Sequence, residues 1–147
     1  MRPGITVTIH IPASPARVWE EVAQLDRHVE WMTDAHRIEF RSEERRGPGT
    51  IMAVETRFGP LRTTDLIEVT AWEEGRRIAV EHRGAFTGVG EFVLAEAGDG
   101  GTDFTWSERI AFPWYFGGRP GAWAARPIFR WVWRRNLARL RARLTAR

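Results

Sequence analysis

Alternating apolar and polar positions run through most of the chain between residues 5 and 112. Successive side chains of a β-strand point to opposite faces, so this period of two predicts strands with one buried face. Short turns rich in Gly, Pro and acidic residues separate the stretches, and turns this short join antiparallel neighbours. An antiparallel sheet of about seven strands is therefore predicted. Its strands are expected at residues 5–11, 36–41, 52–58, 61–72, 78–83, 92–94 and 103–112.

Helical spacing replaces the alternation between the first two strands. Ser14 is a favoured N-cap, and Pro15 suits the first helical position because its missing N–H would be unpaired there anyway. The apolar residues that follow at helical spacing are Val18, Trp19, Val22 and Leu25. Asp26 begins a second helical segment that extends through Trp31 and Met32. Two short helices are therefore expected between strands one and two.

The segment after the last strand has the pattern of one long helix. Its apolar stripe consists of Phe129, Trp133, Leu137, Leu140 and Leu144. A glycine-rich stretch at residues 117–121 separates it from the sheet. Pro127 predicts either a kink or a helix start near Arg126.

The first half of this helix is apolar on a second face as well. At 100° per residue, Ile128, Trp131 and Val132 point away from Phe129. We expect this face and the aromatic loop at residues 114–116 to form the mouth of a cavity. A homodimer through the same face is one alternative, and simple exposure of Trp131 is another.

Three stretches resemble one protein superfamily. They are residues 9–19 (IHIPASPARVW), Trp31, and residues 98–106 (GDGGTDFTW). With the order of the predicted elements, they resemble the START and birch-pollen-allergen-like (SRPBCC) superfamily, in its bacterial polyketide cyclase/dehydrase and lipid-transport branch. The resemblance implies an α+β helix-grip fold: a curved antiparallel sheet wraps around a long C-terminal helix, with a largely apolar cavity between them. The branch includes aromatase/cyclases and carriers of isoprenoid quinones, so the fold does not choose a function.

Polar residues in register with the inward apolar positions are candidates for the cavity wall. His82 and Glu108 are the pair expected to act as general acid and base in enolisation, cyclisation or dehydration of a poly-β-ketone. The candidate ligand-binding residues are His36, Phe40, Thr56, Phe58, Asp65, Phe92, Trp106, Tyr115, Phe129 and Trp133. A solid aromatic core is the alternative, and a register shifted by one residue would turn these polar side chains outward.

The composition argues against several kinds of site. The chain has no Cys, and its four His lack the paired spacing of a metal motif, so no metal or cofactor is expected. No phosphate-binding glycine loop and no serine nucleophile motif occurs. No secretory signal and no apolar run of about 18 residues is present, so we expect a cytoplasmic protein without stable membrane insertion. A length of 147 residues predicts one domain, residues 1–147.

Charge is distributed unevenly along the chain. From Arg109 onward the sequence contains ten Arg and no acidic residue, whereas twelve Arg and nineteen acidic residues precede it. We expect these charges to balance within the molecule and no nucleic acid to bind, since no aromatic stacking platform is recognisable. The preferred function is binding or carriage of a hydrophobic small molecule. The alternatives are a polyketide cyclase or dehydratase, and a scaffold or surface-binding protein that uses the Arg-rich helix.

Overall fold

The computed structural model describes residues 4–145, except for the side chains of Phe58 and Leu61. The strands in this part of the chain are β1 (Gly4–Ile11), β2 (Ala35–Phe40), β3 (Ile51–Phe58), β4 (Leu61–Glu73), β5 (Arg77–Arg83), β6 (Thr87–Glu96) and β7 (Thr102–Ala111). The α-helices are α1 (Pro15–Val22) and α2 (Gly118–Thr145), and two 3-10 helices span Leu25–Glu30 and Trp114–Phe116.

The seven strands form one antiparallel sheet in the order β1-β7-β6-β5-β4-β3-β2. Strands β2 to β7 pair with their neighbours in sequence, and β1 pairs with β7. The two short helices lie between β1 and β2 in the chain. This confirms the predicted helix-grip fold, in which a curved sheet wraps around the long C-terminal helix.

Helix α1 begins where the sequence predicts. Ser14 Oγ accepts a hydrogen bond from the backbone N–H of Arg17 at 3.2 Å, and Pro15 occupies the first helical position. Val18 and Val22 are fully buried on the inner face of the helix. The capping residue and the apolar spacing therefore set both the start of α1 and the face that it buries.

Helix α2 begins earlier than the predicted start near Arg126. It runs without a break from Gly118 through Pro127 to Thr145. Gly117, at φ 91°, ends the preceding 3-10 helix, and Pro120 lies in the first turn of α2, where a missing N–H costs no helical hydrogen bond. The glycine-rich segment therefore joins two helices directly. Within residues 4–145, no helix is both long and apolar enough to cross a membrane.

The interior has a packed half and a hollow half. Along the C-terminal half of α2, Leu137 and Leu140 are fully buried in one apolar core with Trp31. Arg143 ties this end of the helix to α1, because its Nη2 lies 2.7 Å from Glu21 Oε1. The N-terminal half of α2 instead faces a cavity.

Candidate functional site

A cavity of about 570 Å³ lies between the sheet and the N-terminal half of α2. Most of its wall is apolar, with Val54, Ile67 and Val80 among the sheet residues. Its polar wall residues are His28, Asp34, Thr56, Thr63, Asp65, His82, Glu91 and Glu108. Ile128 on α2 lines the cavity and is 60% exposed, so the cavity meets solvent beside this helix.

His82 on β5 and Glu108 on β7 meet across β6. His82 Nε2 lies 3.0 Å from Glu108 Oε1, and each side chain is only 12% exposed. The strand between them carries no side chain here, because Gly90 is the residue of β6 that pairs with Glu108. A Cβ on Gly90 would lie 2.8 Å from Glu108 Oε1. Glu108 therefore reaches His82 only because β6 has a glycine at this position.

The carboxylate of Glu108 sets the charge state of His82. Burial alone would lower the pKa of His82, but the charge and hydrogen bond of Glu108, with the charge of Asp65, raise it above its ordinary value. When His82 is protonated, its Nε2 donates a charge-assisted hydrogen bond to Glu108 Oε1 within a largely buried wall.

Asp65 on β4 stands beside this pair, and the three residues His82, Glu108 and Asp65 are called the polar cluster below. Asp65 Oδ1 accepts a hydrogen bond from the backbone N–H of Ala85 at 3.0 Å. Gly84 allows this approach, since a Cβ there would overlap the same oxygen. Burial raises the pKa of Asp65, although the hydrogen bond from Ala85 and the charge of His82 oppose the rise. Asp65 therefore holds a proton at higher pH than an exposed carboxyl group.

Asp34 is a further carboxyl group in the wall, and α2 holds it in place. Asn136, which is fully buried, donates from Nδ2 to Asp34 Oδ1 at 2.8 Å and accepts from the backbone N–H and the hydroxyl of Thr33. Burial raises the pKa of Asp34, the hydrogen bond from Asn136 opposes this, and the charge of Glu108 adds to it. The wall thus contains two carboxyl groups, Asp34 and Asp65, whose pKa values are raised by burial.

His28 also lines the cavity, but among the described residues no carboxylate is in hydrogen-bond contact with it. Its Nε2 donates to the carbonyl oxygen of Val22 at 2.7 Å, and its ring lies 5.0 Å from that of Trp31. Burial lowers the pKa of His28 to about 4. His28 is therefore neutral near pH 7 and forms part of the packed wall.

Arg126 on α2 places a hydrogen-bond donor near Glu108. The two residues line a second cavity of about 20 Å³, a space that holds roughly one water molecule. Arg126 Nε is buried and has no hydrogen-bond partner among the described residues. Buried polar atoms are normally paired, so this N–H is available to a water or a ligand oxygen.

The polar cluster supplies groups that can donate and accept protons on the sheet side of an apolar space. A carboxyl group in hydrogen-bond contact with an imidazole is suited to moving a proton between a carbon and an oxygen of a bound carbonyl compound. Thr56 and Thr63 add hydroxyl groups to the same wall. Within residues 4–145, no group of three or more His, Asp or Glu side chains is arranged to hold a metal ion.

The structure places most of the sequence-predicted site residues in the cavity wall. They are Thr56, Asp65, His82, Phe92, Trp106, Glu108, Phe129 and Trp133. The side chain of Phe58 lies outside the described residues.

Three predicted wall residues do not line the cavity. His36 is exposed because β2 has a bulge between Ala35 and Arg37, which leaves Ala35 on the inner face instead. Phe40, at the far end of β2, packs against the core and under the guanidinium of Arg45. Tyr115 is 59% exposed, because the aromatic loop is a short 3-10 helix that turns this ring outward.

Some residues of the cavity wall were not predicted from the sequence. His28 and Asp34 lie between β1 and β2, where no strand register exists to place them. Thr63 lies two residues before Asp65 on β4 and so faces the same side of the sheet. The alternation that predicted Asp65 therefore also predicts Thr63 in the wall. Gly88 and Gly90 lie inside β6, which begins earlier than the strand predicted at residues 92–94. A glycine inside a strand is itself a signal of close approach by another group.

Proteins of known structure share this architecture. A protein from Thermus thermophilus superimposes with a TM-score of 0.80 at 19% sequence identity, covering 98% of both chains. The Zhui aromatase/cyclase from Streptomyces sp. R1128 gives 0.74 at 14% identity, covering 98% of this chain and 94% of that one. Ara h 8.0201 gives 0.68 at 13% identity, covering 100% of both chains. At these identities the likeness concerns the fold alone.

The family comparison agrees with the resemblance found in the sequence. No curated protein sequence matches the chain. Residues 2–146 match the model of one family, described as polyketide cyclase / dehydrase and lipid transport. The chain therefore belongs to the polyketide cyclase / dehydrase and lipid transport family.

Proposed function

We propose that the protein binds a largely apolar small molecule that carries carbonyl or hydroxyl groups. The cavity is the observation that carries this proposal: it has about 570 Å³, a mostly apolar wall and the polar cluster on its sheet side. Small-molecule sites typically have roughly 300 to 1,000 Å³ and combine an apolar lining with a few placed polar groups. A solid aromatic core would leave no such space.

The arrangement of the wall supports an oxygenated ligand over a plain hydrocarbon. The polar cluster belongs to β4, β5 and β7, whereas α2 contributes Ala124, Ala125 and Ile128. An apolar skeleton fits against α2 with its oxygen atoms toward the sheet. A plain hydrocarbon would cover the polar cluster but offer no hydrogen-bond partners to the donors and acceptors of the cluster that are still unpaired. Burying such groups without partners costs free energy.

Family membership supports the same class of ligand. The family description names polyketide cyclases, dehydrases and lipid transport, and the Streptomyces neighbour is an aromatase/cyclase. A polyketide-like chain has the alternating carbonyl groups and apolar carbon that this cavity accommodates. We therefore place polyketide-like or other oxygenated lipid-like molecules first among its ligands.

A second function, acid–base catalysis on the bound molecule, is favoured by the contact between His82 and Glu108. In an enolisation, the Glu108 carboxylate would take a proton from carbon while protonated His82 gives a proton to the carbonyl oxygen. The 3.0 Å contact, the low exposure of both groups and the raised pKa of His82 all support these roles.

Native mass spectrometry of the protein purified from its source organism tests the binding proposal. We expect one extra mass that stays with the folded protein and is lost on denaturation. Ala125 lines the cavity, so Ala125→Trp should fill the space and remove this mass while the fold is retained. The proposal fails if the folded wild-type protein carries no ligand and takes up no added oxygenated aromatic compound, or if Ala125→Trp binds equally well.

A further inference from the structure

Large apolar side chains are exposed around one part of the molecule. Among the described residues, seven such side chains are exposed, and five of them fall between residues 114 and 131. We call these five the mouth patch: Trp114, Tyr115, Trp123, Ile128 and Trp131. Their exposed fractions are 58% or more, with Trp114 at 86%. Large exposed apolar clusters on a protein surface mark interaction sites.

The mouth patch is continuous along α2 and adjoins the cavity. Trp123, Pro127 and Trp131 follow at intervals of four residues, so they lie on one exposed face of the helix. Ile128 is exposed on the same side and also lines the cavity. Phe116, which ends the 3-10 helix that contains Trp114 and Tyr115, lines the cavity as well. The patch therefore lies beside the place where the cavity meets solvent at Ile128.

Arginine side chains accompany the patch. Arg135 stacks on the ring of Trp131 at 4.8 Å, and Arg126 stacks on Trp123 at 4.5 Å. Arg134 and Arg135 are exposed, and within residues 4–145 neither forms an ion pair with a carboxylate. The sequence has no acidic residue after Glu108. The surface around the mouth is therefore apolar and positively charged.

Two arginines near the C-terminal end of α2 bond to residues outside the helix. Arg143 is ion-paired with Glu21 and Glu30, at 2.7 and 2.6 Å, and Arg139 donates to the carbonyl oxygen of Glu30. The expected balance of charge within the molecule thus holds for Arg143, near the C-terminal end of the helix. Arg134 and Arg135 in the preceding turns have no such acidic partners among the described residues.

We propose that the mouth patch docks on the surface of an anionic phospholipid membrane. Trp and Tyr rings prefer the headgroup region, and Arg side chains beside them are attracted to anionic lipids. A second copy of the chain is a poorer occupant, because a two-fold contact would bring the same unpaired arginines together. Docking in this orientation places the cavity mouth against the bilayer, which is where lipid-like molecules dissolve. The proposal does not depend on the identity of the ligand.

Flotation with lipid vesicles tests this proposal. The full chain should float with vesicles of phosphatidylcholine mixed with phosphatidylglycerol and much less with phosphatidylcholine alone, and added salt should weaken binding. Arg134→Gln with Arg135→Gln should lower the partition coefficient by about tenfold or more. Trp123→Ser with Trp131→Ser should do the same, because apolar insertion is lost.

Matched controls separate docking from general charge or apolar effects. Arg141→Gln removes an exposed charge from the C-terminal half of α2, and Val89→Ser removes an exposed apolar side chain from the sheet. Both controls should bind vesicles like the wild type, and thermal unfolding followed by circular dichroism should show that all variants are folded.

Three results would overturn the proposal. The first is no binding to anionic vesicles at low salt, and the second is an equal loss of binding in the controls. The third is evidence that something else occupies the patch. Single-stranded DNA could displace the protein from vesicles, or the protein could form a dimer in light scattering that Trp131→Ser dissociates, with no binding to vesicles.

Discussion

Two histidines in the same cavity wall differ in charge because only one of them contacts a carboxylate. His28 bonds to a backbone carbonyl, and burial lowers its pKa to about 4. His82 is also buried, but Glu108 lies 3.0 Å from its Nε2 and Asp65 adds a second negative charge, so its pKa is raised. At the scale of a residue, the contacts of the ring nitrogen decide which histidine is suited to donate a proton.

Glu108→Gln should lower the pKa of His82 below its ordinary value, because burial then acts without the opposing charge of Glu108. An NMR pH titration of the His82 ring protons measures this shift. Glu91→Gln is the matched control, since Glu91 lines the cavity but pairs with Arg77. On a substrate that the protein converts, Glu108→Gln should abolish turnover with affinity kept within about tenfold. An unchanged pKa of His82 would show that the pair does not exist in solution.

Strand β6 contributes to the site through a glycine, Gly90, that leaves room between its neighbouring strands. The polar cluster spans β4, β5 and β7, and β6 lies between two of its members. Because Gly90 carries no side chain, the carboxylate of Glu108 crosses the strand to His82.

Helix α2 also has two parts with different roles, since its C-terminal half packs the core and its N-terminal half lines the cavity. At the scale of the element, packing and site thus occupy different segments of the same helix.

Gly90→Ala should separate His82 from Glu108 and destabilise the protein by about 1 to 3 kcal/mol, because the new Cβ overpacks against the Glu108 side chain. Denaturant unfolding measures the loss, and an NMR titration should show a lowered pKa of His82. Gly98→Ala is the control, since a Cβ at Gly98 meets no atom within 4 Å. Equal stability of Gly90→Ala and Gly98→Ala would contradict the role of Gly90.

For the whole molecule, the buried ionisable groups make stability depend on pH with opposing signs. The folded pKa of His28 lies below its ordinary value, so between pH 6.5 and about 4 the unfolded chain binds more protons than the folded one. Stability therefore decreases as the pH is lowered through this range. Asp34 and Asp65 have raised pKa values, and their protonation stabilises the folded state as pH falls. The raised pKa of His82 stabilises the fold at low pH, and this contribution is lost as pH rises through that pKa.

His28→Gln should remove an acid-sensitive part of the stability. Each pKa unit corresponds to about 1.4 kcal/mol, so the shift of His28 from 6.5 to about 4 predicts a loss of roughly 3 kcal/mol in the wild type on going from pH 6.5 to 4. Urea unfolding at a series of pH values measures this. The variant should show a shallower decline over this range, and an equally steep one would exclude His28 as its source.

Local chemistry made several features predictable from the sequence. Strict alternation along β5 and β7 put His82 and Glu108 on the inner face, because the direction of a side chain on a strand depends only on its position in the pleat. Ser14 and Pro15 similarly marked the start of α1. The element order and the motifs of residues 9–19 and 98–106 indicated the helix-grip fold and the family.

The remaining features depended on how distant segments meet. The bulge in β2 turned His36 outward, and the pairing of three strands brought His82 within 3.0 Å of Glu108. The contact of α2 with the loop before β2 placed Asp34 in the wall, although no local pattern marks it. The cavity itself is the space left after the sheet, α1 and α2 pack together. The sequence alone therefore determined the elements and their inward faces, which follow from short-range geometry, whereas only tertiary packing decided which inward residues share a cavity and in what charge state.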